Sequence, residues 1–131
     1  MKPIIAIFAL TVLLSGCATS SDNRVNDSVA DYIGAAELAP LDKIRTYGDY
    51  SYRDISQRYI IVATRRETFL VEFARDCPEL DELRVTPDYR YETNALRVRF
   101  DTIRGCRIGK IYAVEEGQAE ELEHLGDALG N

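Results

Sequence analysis

The 131-residue chain has little of what catalysis usually draws on. Histidine occurs once, as His124, among glutamates near the C-terminus and with no evident partner, so it is expected to be exposed and inert. Without a placed base, a serine or cysteine has nothing to activate it as a nucleophile. No C-x-x-C pair and no cysteine–histidine spacing is present, so redox-dithiol and zinc motifs are absent. The acids do not alternate around a glycine as a calcium loop requires. No catalytic residue, metal ligand or cofactor is therefore assigned, and the chain is expected not to be an enzyme. Lysine is scarce too: between residues 24 and 110 only Lys43 and Lys110 break a run of arginines. That span carries 15 acids and 15 bases, and the net charge of −6 comes from a tail holding Glu115, Glu116, Glu120, Glu121, Glu123 and Asp127. A neutral core with an acidic tail excludes nucleic acid as a natural partner.

A hydrophobic run long enough to cross a membrane is missing as well. Residues 4–14 are apolar apart from Thr11, well short of the roughly 20 needed to span. With Met1-Lys2 in front, that run has the length of a secretory signal. It ends in "VLLSGCATSS" (12–21), where Leu14-Ser15-Gly16-Cys17 resembles the lipobox of bacterial lipoproteins at all four positions. The resemblance implies a signal peptide over 1–16. It also implies that Cys17 becomes the first mature residue, carrying a thioether-linked diacylglycerol and an acylated amine. Several acyl chains on one residue make a firm membrane anchor. Ala18, in place of an aspartate, implies the outer membrane, with the protein facing the periplasm.

Two cysteines then remain, Cys77 and Cys106. In an oxidising compartment an even pair is read as a disulfide. It would close a loop of about 30 residues and contribute about 3–4 kcal/mol. The remaining length suits one domain. Residues 17–27 read as a flexible tether, 28–114 as a single α+β domain and 115–131 as an acidic amphipathic tail helix.

Within the domain, Asp27 or Ser28 is placed to cap a helix through Val29, Ile33, Ala36 and Leu38 that ends before Pro40. Strands are expected over 41–47, 58–64, 68–74, 96–101 and 106–114. In the third, Phe69, Val71 and Phe73 alternate with Thr68 and Glu72, with Leu70 out of pattern. "LRVRFD" alternates most cleanly, predicting Leu96, Val98 and Phe100 inward and Arg97, Arg99 and Asp101 outward. Residues 76–83 suit one or two helical turns, and 86–94 a loop. In the tail, Ala119, Leu122, Leu125 and Leu129 share a helical face. The expected fold is a small antiparallel sheet of about five strands with short flanking helices and one disulfide.

The stretches "FLVEFARDCPEL", "LRVRFDTI" and "CRIGKIYAV" together resemble a family of small uncharacterised lipoproteins of Gram-negative bacteria, a domain of unknown function. The likeness is carried by Cys77 with Leu80, by Phe100-Asp101, and by Cys106 with Ile108 and Ile111, and covers residues 38–114. It implies architecture and location, and no activity.

Among polar candidates, Asp76, Glu79, Asp81 and Glu82 cluster, and Glu72 and Asp101 fall on strands. Paired carboxylates can cut glycosidic bonds, but the cluster reads as solvated helix-end charge. Asp101 is expected to cap the following turn through the amides of Ile103 or Arg104. Tyrosine is the stronger hint: Tyr47, Tyr50, Tyr52 and Tyr59 crowd one turn, and Tyr89 and Tyr91 sit in the long loop. Tyrosine suits recognition because it offers a broad face and a polar tip at small entropic cost. Tyr47, Tyr50, Tyr52, Tyr89 and Tyr91 form the candidate interaction surface, for an envelope protein or peptidoglycan sugars; Tyr52 and Tyr59 also suit half-buried strand positions. The expected role is a lipid-anchored, non-catalytic interaction or structural module at the periplasmic face. The alternative is a small-ligand-binding or hydrolase-inhibitor-type lipoprotein.

Overall fold

The computed structural model describes residues 20–130. The expected signal peptide over 1–16, the expected lipidation site Cys17 and the first residues of the expected tether lie outside the described residues. Eleven elements follow in order: α1 (Ser21–Ala35), β1 (Pro40–Leu41), β2 (Lys43–Arg45), β3 (Ser51–Asp54), β4 (Tyr59–Ala63), β5 (Thr68–Phe73), a 3-10 turn (Pro78–Asp81), β6 (Ala95–Arg97), β7 (Thr102–Ile103), β8 (Cys106–Val114) and α2 (Glu116–Leu129). The fold is α+β. Strands β1, β8, β5, β4 and β3 lie side by side in that order, with β7 also paired to β8, while β2 and β6 form a separate ribbon. All of these pairings are antiparallel.

The central strands are buried on both faces, which explains the run of β-branched residues in β4. Ile60 and Val62 face one core, together with Phe69, Val71 and Phe73 of β5. The ribbon residues Ile44 and Leu96 close that core from outside. Tyr59, Ile61 and Leu70 face the other core, where α1 supplies Val25 and Val29 and α2 supplies Ala119 and Leu122. Leu70 therefore fits its strand: the face it was expected to share with solvent is covered by helices.

Helix α1 begins at Ser21, six or seven residues before the cap expected at Asp27 or Ser28, so most of the expected tether is helical. Val25 and Val29, one turn apart, are buried against the sheet, and that packing outweighs the polar character of residues 21–27. The helix ends with Glu37 in the left-handed region (φ 52°), its amide bonded to Gly34 O and that of Leu38 to Ile33 O. Helix α2 opens with a reciprocal capping box between Glu115 and Gln118.

"LRVRFD" corrects the sequence reading most sharply. Only Ala95–Arg97 is strand; the chain then turns, with Arg99 at φ 72°. That left-handed residue inverts the alternation. Phe100, expected inside, is 66% exposed, and Asp101, expected outside, is fully buried. A second irregularity lies in β8, where Glu72 pairs with Lys110 but Phe73 with Ile108, leaving Gly109 as an extra residue. The bulge lets both Ile108 and Ile111 reach the same core despite their odd spacing.

Gly126 sits inside α2 where the helix presses on Ile55. A Cβ there would lie 2.8 Å from Ile55 O and 3.2 Å from its Cα. Gly126→Val is expected to lower stability by about 1–3 kcal/mol through overpacking. Gly34→Ala, in a helix position with open space around it, is expected to raise stability by up to about 1 kcal/mol. Urea midpoints of the two variants check the contrast.

Candidate functional site

The long connection from the 3-10 turn to β7 is the least regular part of the fold, yet it is tied down at three points. Asp101 is the first. Its buried carboxylate accepts the amide of Tyr91 at 2.8 Å and that of Arg97 at 2.6 Å. It does cap backbone, but upstream in the loop and not at Ile103 or Arg104 as expected, because the turn at Arg99 points it back. Asp88 is the second: one oxygen accepts the Arg104 amide at 2.8 Å, and the other accepts the Tyr50 hydroxyl. Arg104, at φ 53°, is the third. Its guanidinium donates to Tyr52 Oη at 3.1 Å and to the carbonyls of Glu79 and Glu82 at 2.9 Å each. Arginine's planar fork suits such a multi-point tie. Nothing in the sequence marked Arg104 out from its twelve fellow arginines.

These ties settle where the candidate tyrosines stand. Tyr50 and Tyr52 are half-buried and pack against the first core. Arg90 lies over the Tyr50 ring at 5.4 Å. Both rings thus act inside the fold, as pins for the loop. Tyr59 is buried in the second core. Tyr47 is half-buried, with Arg66 of the β4–β5 turn 4.5 Å from its ring centre. Tyr89 and Tyr91 alone of the five are openly exposed, at 63% and 71%. Leu83, Val85 and Phe100 are the other large apolar side chains exposed among the described residues. The sequence reading named the tyrosines and missed Leu83 and Val85, whose exposure only the loop's path reveals.

Burial shapes the tyrosine ionisations. Tyr50 is pushed up by burial first and then by its bond to Asp88. Tyr59 is pushed up to about 12, again by burial first and then by Glu72. A raised folded pKa means stability is fully present below the unfolded value near 10 and is lost as pH rises above it. We expect cooperative unfolding between pH 10 and about 12, with tyrosinate absorbance for these residues appearing together with loss of structure.

Three of the four clustered carboxylates, Asp76, Glu79 and Asp81, are engaged by neighbours, while Glu82 contributes its backbone carbonyl to Arg104. Glu79 is bound by Arg75 at 2.7 Å, which holds its carboxyl below the usual range. Asp81 accepts from Gln57 at 2.7 Å. Arg58 lies 3.8 Å from Glu72 and 3.5 Å from Asp76. The Cys77–Cys106 disulfide is formed and fully buried, joining the 3-10 turn to the start of β8. Glu79 Oε2 lies 3.1 Å from Cys106 Sγ. A bridged sulfur has no proton to give, so this is a close O···S contact and not a hydrogen bond. Cys77, Glu79 and Cys106 bring three potential ligand atoms within 4.8 Å, but the bridge commits both sulfurs.

A second surface feature lies on the far side of the β6–β7 turn. An open groove of about 540 Å³ runs between Pro40–Lys43, the turn at Arg97–Phe100 and the bulge at Gly109–Lys110. Its lining is mostly apolar, with four cations and one acid, Asp42. Lys43 and Arg97 share Glu92, at 2.7 and 2.5 Å. Lys43 first, and Arg97 with it, holds the Glu92 carboxyl below the usual range.

A family of unknown function (DUF6491) matches residues 1–126, and the chain belongs to it. No curated protein and no solved structure matches the chain.

Proposed function

We propose that this member of a family without an assigned role is a lipid-anchored protein of the cell envelope, held at the outer membrane and facing the periplasm, and that it works as a non-catalytic interaction module. Export is supported by the lipobox-like residues 14–17 read together with the buried Cys77–Cys106 bridge, which suits an oxidising compartment. The absence of catalysis is supported by what the polar groups already do. Of the candidate carboxylates, Glu72, Asp76 and Glu79 are bound by arginines, Asp81 by an amide and Asp101 by backbone, and His124 is exposed on α2.

One observation carries the interaction reading. The five large apolar side chains exposed among the described residues all fall between Leu83 and Phe100. Four of them, Leu83, Val85, Tyr89 and Tyr91, stand on a loop tied down at Glu82, Asp88 and Tyr91 through Arg104 and Asp101. Exposed apolar groups on a preorganised loop are what a protein partner recognises at low entropic cost. The partner is thus an envelope protein, with peptidoglycan the competing outcome. The test is photocrosslinking in living cells from position 85. A single crosslinked envelope protein, lost in the combination Leu83→Ser, Tyr89→Ala and Tyr91→Ala, is expected. These side chains are exposed, so the fold survives their loss. Crosslinking unchanged by the triple substitution, or carried by peptidoglycan, would contradict the reading.

A further inference from the structure

The groove beside the β6–β7 turn borders the loop surface, where Arg97 lies 5.5 Å from the Tyr91 ring centre, and has a chemistry of its own. Pro40, Leu41, Val98 and Phe100 give it an apolar wall. Leu41 and Val98 are anchored from behind by the first core, so the wall is rigid. Phe100 stands 66% exposed because the left-handed Arg99 turns it outward. Its size falls in the range of small-molecule sites, roughly 300–1,000 Å³.

The charge around this wall is one-sided. Lys43, Arg97, Arg99 and Lys110 line it, against Asp42 and the Glu92 held between Lys43 and Arg97. Two positive charges are left over on a chain whose net charge is −6. Arg99 and Lys110 have no carboxylate partner among the described residues. Glu72, opposite Lys110 in the strand ladder, is engaged with Arg58 instead. An apolar wall selects an alkyl body, and unneutralised cations beside it select an anionic head. An uncharged lipid would leave the cations unanswered, and a small inorganic anion would leave the wall wet.

We propose that this groove binds a single-chain anionic amphiphile, its phosphate or carboxylate head held by Arg99 and Lys110 and its alkyl chain lying along Leu41, Val98 and Phe100. The site does not depend on the loop's protein partner, and its test is independent of that one.

The experiment is photolabelling of the purified, acylated full chain in phosphatidylcholine nanodiscs, with octyl phosphate and octyl carboxylate probes that carry a diazirine at the chain end. Labelling is expected on peptides carrying Leu41, Val98 or Phe100. Unlabelled octyl phosphate should suppress it, and octanol should not. Arg99→Gln with Lys110→Gln should reduce labelling at least tenfold while leaving the thermal melt in place, since both side chains are exposed and neither change sets a second acid opposite Glu72. Equal labelling by an uncharged octyl probe would overturn the proposal, as would labelling that survives the double substitution. Labelling confined to nanodiscs of anionic lipid would identify a membrane surface as the ligand and overturn it too.

Discussion

Replacing Cys77 and Cys106 together by alanine is expected to lower stability by about 3–4 kcal/mol and Tm by roughly 15–20 °C. The bridge closes a sequence separation of 29 residues and joins segments that otherwise share few regular bonds: a four-residue 3-10 turn and the first residue of β8. Its effect lies mostly in the unfolded chain, where it removes the freedom of the intervening loop. That loop includes residues 82–94, which carry no strand or helix of their own. Reducing the unsubstituted protein should reproduce the loss, and reductant should leave the double variant unchanged. A loss under about 1 kcal/mol would mean that packing around Leu80 and Ile103, not the covalent link, holds the ends together.

Asp101→Ala should have an effect of similar size, about 3–4 kcal/mol. The carboxylate is fully buried and accepts two amides from separate parts of the loop, Tyr91 and Arg97. Bonds to a charged acceptor are worth about 1.5–3 kcal/mol each, and removing the acceptor leaves two part-buried donors without this partner. Asp101→Asn keeps one acceptor oxygen but turns an NH2 group toward a donor, so its loss should be intermediate. Chemical denaturation gives the magnitudes. Hydrogen exchange gives the location: the amides of Tyr91 and Arg97 should lose protection in the alanine variant before the central strands do. If both amides stay protected, the loop is held by something other than this carboxylate.

The two predictions share a cause, and it bears on what a single sequence can reveal. Strands β4 and β5 were legible because their residues answer to a local rule: β-branched runs and alternation set them down wherever the rest of the chain goes. The bridge was legible because only two cysteines were left to pair. Helix α2 showed its face through Ala119, Leu122, Leu125 and Leu129. The loop was not legible, because its shape depends on residues that break local rules. Arg99 and Arg104 adopt positive φ without being glycine. Those conformations persist because tertiary bonds at Asp101, Asp88 and Tyr52 over-determine them. An alternating "LRVRFD" reads as a strand until Arg99 inverts it. The same inversion exposes Phe100 and opens the groove, so the surface with the clearest ligand chemistry arose where the pattern failed.

The tyrosines teach the same lesson from the other side. Their clustering was a real signal, but composition could not separate a ring that greets a partner from one that pins a loop. Tyr50 and Tyr52 went inward because Asp88 and Arg104, far off in sequence, offered their hydroxyls partners. Tyr89 uses its backbone to bridge to Thr102 and leaves its ring free. Leu70 misled in the opposite direction: out of pattern for a half-solvated sheet, it is in place once α1 and α2 cover the second face.

The reading of this chain turns on export, and intact-mass analysis of the protein recovered from cell envelopes tests it most directly. The account predicts a single species lacking residues 1–16, heavier by a diacylglycerol and an acyl chain at Cys17, with no thiol free to alkylate before reduction. A soluble cytoplasmic species that begins at Met1 and takes up three alkylating groups would contradict it.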